Sequence, residues 1–469
     1  MTTLPIVIQG GMGVGVSGWR LANAVSSCGQ LGVVSGTALD AVLVRRLQLG
    51  DVGGHVRRAL QAFPLSDAAE RILDKYFVEG GKPADRPFRG KPMATVNRIR
   101  SALELVTAAN FVEVFLAKEG HKNPVGINYL EKIQVETLGS IYGAMLAGVD
   151  YVLMGAGIPK AIPAVLSRFA AGDASDLALD VKDATKKHFT RFDPRSFFEK
   201  DPPRLPRPKF LAIVASHVLA TMLSRAEVPP DGFVVEGPTA GGHNAPPRAK
   251  GVTETGEPLY GERDVVDLGV LSHLGKPFWL AGSQASPHAV REALNTGASG
   301  VQVGTAFAFC AESDMREDIK ADVLKGSAAG TVKVFTDPEA SPTGFPFKIV
   351  QMDGTLSDRV MYEKRERICD LGYLRTPYET SEGKVKWRCP AEPVIDFTKK
   401  GGMLEETNNR QCLCNALMAN IGLAQLHDGQ EQEVLVTAGD DASFVARFLA
   451  PGAETYSAAD VIANLLAGV

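Results

Sequence analysis

Eight short apolar runs recur through the first 305 residues, each ending in glycine, serine, threonine, asparagine or histidine, and most are separated by stretches with three- and four-residue apolar spacing. The runs are Leu4–Gln9, Leu31–Ser35, Pro124–Leu130, Tyr151–Gly157, Phe210–Ala215, Phe233–Val235, Pro277–Ser283 and Gly300–Thr305. Strand–helix alternation of this kind requires a parallel sheet, and eight repeats predict an α/β chain folded as a (β/α)8 TIM barrel. An open dinucleotide-binding sheet is the competing arrangement, because Gly13-Val14-Gly15-Val16-Ser17-Gly18 fits G-x-G-x-x-G. Against it, the glycines begin at the strand end as Gly10-Gly11, and Asp40 lies beyond a loop, not at the end of a second strand.

In a barrel the chemistry gathers where strands end. Gly10, Gly11 and Met12 follow the first run with bare amides, suiting a phosphate or a flat ring. Asn128 ends the third run, where its amide can bond a ligand or satisfy its own turn. The sixth run leads through Glu236-Gly237-Pro238-Thr239-Ala240-Gly241-Gly242 to His243, an imidazole able to exchange a proton or simply to cap its loop. Ala281-Gly282-Ser283 and Gln302-Val303-Gly304-Thr305 end the last two runs, the usual phosphate position of this fold.

The rest of the chain is expected to be appended to this frame. The domain boundary is read as 1–315 for the barrel and 316–469 for a C-terminal extension with a cysteine-containing subdomain and terminal helices. A helical insertion is expected over about 41–117, with a surface loop at 77–92. The basic, proline-rich stretch 182–208, within an excursion over about 170–208, reads as a solvated loop. Residues 244–263 lack periodicity and read as a mobile lid.

A net charge of -4 argues against nucleic acid as a partner, and no run approaches the roughly 18 apolar residues of a membrane span. A cytoplasmic protein is expected, with no leader read in Met1–Val7. Cys369, Cys389, Cys412 and Cys414 cluster in the extension beside Arg365, Arg367, Arg375, Arg388 and Arg410. They fit either a zinc or iron–sulfur site or a packed group of reduced thiols, and the metal is left unassigned.

Taken in order, Ile8-Gln9-Gly10-Gly11-Met12, Pro124–Asn128, Val235-Glu236-Gly237 with Ala240-Gly241-Gly242-His243, Ala281-Gly282-Ser283 and Gly300–Thr305 resemble the nitronate monooxygenase (2-nitropropane dioxygenase) family, whose relatives include flavin-dependent enoyl-acyl-carrier-protein reductases. The resemblance implies an FMN-binding barrel. It places the flavin ring near Gly10, Gly11, Met12 and Asn128, with Gly241, Gly242, Ala281 and Gln302 among the cofactor residues. The phosphate falls at Gly282, Ser283, Gly304 and Thr305, and His243 becomes the catalytic residue. Thr239 and Ser283 depart from the family, which often has a carboxylate and a glycine there. Two activities follow as expectations: oxidation of alkyl nitronates by dioxygen, or reduction of an enoyl thioester with NAD(P)H as reductant. Family frequency favours the first, which is the leading expectation, and the lid and extension favour the second as the alternative. A flavin-binding barrel without turnover is the third reading, and a homodimer is left open.

Overall fold

The computed structural model describes residues 4–93, 95–96, 99–198 and 201–469. The start of the Met1–Val7 reading and a few positions of the two predicted excursions therefore lie outside the described residues.

The eight apolar runs form one closed parallel barrel. Its strands are β1 (Val7–Gln9), β2 (Leu31–Ser35), β3 (Val125–Leu130), β4 (Tyr151–Gly155), β5 (Lys209–Val214), β6 (Gly232–Glu236), β7 (Phe278–Ala281) and β8 (Gly300–Val303). They neighbour one another in chain order, and β1 closes on β8 with Ile8 opposite Gln302 and Gln9 opposite Val303. Closure rules out the open dinucleotide-binding sheet. Ile8, Leu31, Val33, Leu153, Leu211, Val234 and Trp279 fill the interior, and the Trp279 indole N–H donates to the Pro5 carbonyl at 2.8 Å. A barrel packed through its middle has room for a ligand only at its ends.

The expected helical insertion between β2 and β3 comprises helices Leu39–Gln48, His55–Gln61, Ser66–Tyr76 and Arg100–Ala117. The last is buried on nearly every side after its first turn, which an apolar helix achieves only between other elements. Its Glu113 pairs with Arg46, whose other nitrogen holds Asp314 at 2.7 Å, tying the insertion to the chain just past β8. Burial raises the Glu113 carboxyl against the attraction of Arg46. The predicted loop at 77–92 has no regular element, but it is not all surface. Phe88 is buried, and Lys91 reaches inward to Asp40 at 2.7 Å.

The solvated-loop reading of 182–208 is corrected. His188–Phe192 pairs antiparallel with Ser175–Leu179, and Pro194–Phe198 is a short helix. Phe192, Phe197 and Phe198 bury against Tyr142 and Phe169, with ring centroids 4.8–6.4 Å from Tyr142. Such aromatic pairs contribute about 0.5–1.5 kcal/mol each beyond their burial. Among the described residues Lys186, Lys187, Arg191, Arg195 and Arg204 are exposed, whereas Arg207 is half-buried and pairs with Asp231 at 2.9 Å.

Beyond residue 315 the chain spreads over the barrel. Glu317–Ala328 is a helix, Val334–Asp337 and Phe347–Val350 form a hairpin, and Ala458–Leu465 returns to pack beside the first barrel helix, Trp19–Ser27. Val350, Val436, Ala438, Val445 and Tyr456 share a continuous core with barrel residues. The four clustered cysteines are free thiols, and among the described residues no group of three or more His, Cys, Asp or Glu side chains is arranged to hold a metal ion. Burial pushes the Cys369 thiol up to about 12 and raises those of Cys389, Cys412 and Cys414. Arg375 favours the Cys369 thiolate, but burial is the larger cause and the thiol is raised. Arg365, Arg367, Arg388 and Arg410 donate to backbone carbonyls of Arg410, Thr407, Lys400 and Ser341 and so staple the extension together.

Candidate active site

All the sequence-predicted site residues line one cavity at the carboxyl ends of the strands: Gly10, Gly11, Met12, Asn128, Gly241, Gly242, His243, Ala281, Gly282, Ser283, Gln302, Gly304 and Thr305. The space between these residues, counted out to the solvent at its mouth, is about 1590 Å³.

The loop after β1 forms the floor. A Cβ on Gly11 would lie 2.5 Å from the Asn128 Cβ, so only glycine lets this backbone pass beneath the β3 end. Asn128 Oδ1 and Gln302 Oε1 are buried without a protein partner among the described residues. Buried oxygens left that way await donors, and the ring N–H and hydroxyl groups of a flavin are donors of the right kind. Across the cavity, the amides of Gly282, Ser283, Gly304 and Thr305 donate to no protein acceptor among the described residues. Ser283 adopts φ 52°, a left-handed conformation more natural to the glycine that the family often carries there. Free amides from two adjacent strand ends make an anion cradle that needs no cationic side chain. On both counts the residues fit FMN.

His243 sits where the β6 turn meets the extension. Asn244 N–H donates to the Pro346 carbonyl at 2.9 Å and Lys348 N–H to the Gly242 carbonyl at 3.0 Å, so the histidine backbone is held like a strand against Phe347. Its ring packs edge-on to Phe347 at 4.8 Å, and Nε2 lies 2.7 Å from the Ser341 hydroxyl. Burial lowers the imidazole to about 4, leaving it neutral at physiological pH. Glu236, at the end of β6 in the same cavity, is pushed up to about 8 by burial and is a neutral carboxyl. The base and the acid that the β6 turn brings to the cavity are therefore both uncharged.

The extension supplies a wall that the motifs do not announce. Phe347, Tyr373, Leu374, Leu413, Cys414 and Leu417 line one side, and Thr437, Ala438 and Asp441 reach the phosphate end. Gly439 N–H donates to Thr305 Oγ1 at 2.9 Å, and Asp440 N–H to the Thr239 carbonyl at 3.1 Å. Ser341, in Glu339-Ala340-Ser341-Pro342-Thr343-Gly344, carries only the composition of a turn, and its partner lies 98 residues away. Glu236 was visible inside the β6 motif, but nothing in its neighbours marked it as uncharged.

Residues 202–338 match the family model described as nitronate monooxygenase, a stretch that holds β5 to β8, His243 and the amides of Gly282, Ser283, Gly304 and Thr305. No curated protein matches the chain. Among solved structures, FabK from Thermotoga maritima aligns over 99% of this chain and 92% of its own, at 18% identity and a TM-score of 0.47. Nitroalkane oxidase from Streptomyces ansochromogenes aligns over 99% and 95%, at 15% identity and a TM-score of 0.47. The enoyl reductase domain of MlnA, from the macrolactin biosynthesis cluster of Bacillus amyloliquefaciens, aligns over 99% and 94%, at 11% identity and a TM-score of 0.47. A closed barrel with this cavity, together with the family match, defines a flavin-dependent oxidoreductase.

Proposed function

We propose that this protein is an FMN-dependent, NAD(P)H-driven reductase of the activated carbon–carbon double bond of an enoyl thioester. The observation that carries this reading is the character of the cavity wall. No lysine or arginine is among its described lining residues, its histidine is neutral, and Ile133, Ile213, Leu374, Leu413 and Leu417 form apolar surface. Such a wall suits a neutral acyl chain. An alkyl nitronate is an anion and would meet no cation there, so its burial would be costly.

When bound, reduced FMN supplies the hydride for the β-carbon. Asn128 and Gln302 orient the ring, and the amides at Gly282, Ser283, Gly304 and Thr305 hold the phosphate. His243 gives a proton to the α-carbon or polarises the thioester carbonyl, and the roof excludes water from the reduced centre. Oxidation of alkyl nitronates by dioxygen is the second reading, favoured by the family match over 202–338.

Anaerobic mixing separates the two. NADPH or NADH should bleach the yellow protein rapidly, and an enoyl thioester should restore the colour; bleaching by a nitronate but not by either pyridine nucleotide supports the second reading. His243→Ala should keep its flavin and thermal midpoint and still be bleached, while recolouring slows by about 10²–10⁴. A variant that fails to fold, with no specific kinetic effect, would return His243 to a structural role.

A further inference from the structure

A neutral imidazole that acts as a proton donor faces a difficulty. It can give up its one N–H proton without becoming an anion only if the other nitrogen receives a proton in the same event. The groups around His243 Nε2 meet that need. Ser341 Oγ stands 2.7 Å from Nε2, and Thr343 Oγ1 stands 2.8 Å from Ser341 Oγ. Ser341 is fully buried, Thr343 is half-buried, and Gly344 beside it is exposed. Two hydroxyls therefore link the ring to a turn at the surface.

We propose that Ser341 and Thr343 form a proton relay that resupplies His243 from solvent, so that the C-terminal extension provides a working part of the active site. The proposal rests on His243 acting as the proton donor argued above. The hydrogen bonds allow two directions, and the relay needs one of them. Ser341 Oγ has one proton and two acceptor positions, and the Thr343 backbone N–H takes one acceptor position at 3.2 Å. In the relay direction the other is filled by the Thr343 hydroxyl, leaving the Ser341 proton for Nε2. His243 then carries its own proton on Nδ1, the nitrogen that no protein group engages among the described residues.

The transfer balances as a chain of exchanges. Nδ1–H passes its proton to the substrate carbon, Nε2 takes the Ser341 hydroxyl proton, Ser341 takes that of Thr343, and Thr343 takes one from a hydronium ion or buffer acid in solvent. Each oxygen ends with one proton, and the ring ends neutral as the other tautomer. A flip of the ring, which carries its proton to the substrate side, and rotation of the two hydroxyls reset the path. Arg410, donating to the Ser341 carbonyl at 2.7 Å, holds the turn in place without touching the relay atoms.

The test uses the flavin-loaded protein. Nitrogen-15 spectra of histidine-labelled wild type should show His243 protonated at Nδ1, and Ser341→Ala should shift the Nε2 signal and weaken that preference. In stopped flow, Ser341→Ala and Thr343→Val should leave bleaching by NAD(P)H unchanged but slow recolouring by the enoyl thioester by about 10²-fold, the lower end of a general-acid contribution. Thr343→Ser should recover most of the rate, and added imidazole buffer should partly rescue Ser341→Ala. An Nε2-protonated ring in the wild type, or recolouring within twofold of wild type in both relay variants, overturns the proposal. If the wild-type enzyme is not recoloured by any enoyl thioester, the functional reading fails on its own, and the spectra still decide the relay's first link.

Discussion

The barrel strand ends and the C-terminal roof build the same cavity by different means. Barrel residues reach it through local rules: a strand of three to six residues, a glycine or small polar residue at its end, a helix back. Roof residues reach it through pairings between segments far apart in the chain, such as Ser341 with His243 and Gly439 with Thr305. The first kind of wall offers backbone amides and side-chain amides to a cofactor common to many enzymes. The second offers apolar surface and hydroxyls to whatever that enzyme alone accepts. If this division holds, variants of the two walls should fail differently.

The largest effect is expected in the barrel wall. A Cβ on Gly304 would lie 3.5 Å from Met12 Sδ, an ordinary contact, so Gly304→Ala should keep its flavin. Gly304→Asp fills the same space but sets a carboxylate against the cofactor phosphate, and it should purify colourless. Full flavin occupancy in the aspartate variant would remove the phosphate from this strand end. Equal loss in both variants would mean that space, not charge, governs the position.

The same division explains what could be read from the chain alone. Each barrel strand was legible because an apolar run with a small polar end is a local signal, and the residues gathered in the cavity follow directly from it. The hairpin at 188–192 was not legible, because Phe189 and Arg191 face outward while Thr190 and Phe192 are buried, and the basic residues around them mask the alternation. Ser341 was invisible for a different reason: a serine in a proline–glycine turn says nothing about a histidine 98 positions earlier. The cysteine cluster is a third case, whose sequence leaves both readings open. Spacing alone cannot distinguish thiols gathered for a metal from thiols gathered by packing, and their raised values here are those of protonated groups.

The seam between the two walls should give a smaller effect. A Cβ on Gly241 would come within 2.6 Å of the Gly439 nitrogen, a backbone atom that cannot step aside. Gly241→Ala should therefore push the roof away from the β6 turn, with overpacking of this kind costing about 1–3 kcal/mol. A lower thermal midpoint with weaker flavin binding is the expected result. Wild-type values for both would show that the roof rides loosely on the barrel and would undercut the view that it is part of the site.

The smallest expected effect concerns two neutral groups on the barrel side of the seam, whose influence on stability runs in opposite directions. Glu236 is held at about 8 in the folded chain against 4.5 for the free group, so the fold keeps a proton that the unfolded chain releases. Its contribution is fully present below pH 4.5 and is lost as pH rises through about 8. His243 is held at about 4 against 6.5, so its contribution is present above pH 6.5 and is lost as pH falls through about 4. Thermal midpoints with flavin present throughout should accordingly show Glu236→Gln gaining on wild type as pH rises from 4.5 to 8. His243→Gln should gain on wild type as pH falls from 6.5 to 4. Both gains are limited because the two side chains retain some exposure. A Glu236→Gln curve parallel to wild type would mean that the cavity is wet enough to let the carboxylate ionise freely. The neutral wall would then fail as the argument for a neutral thioester, while the amide cradle at Gly304 would be untouched.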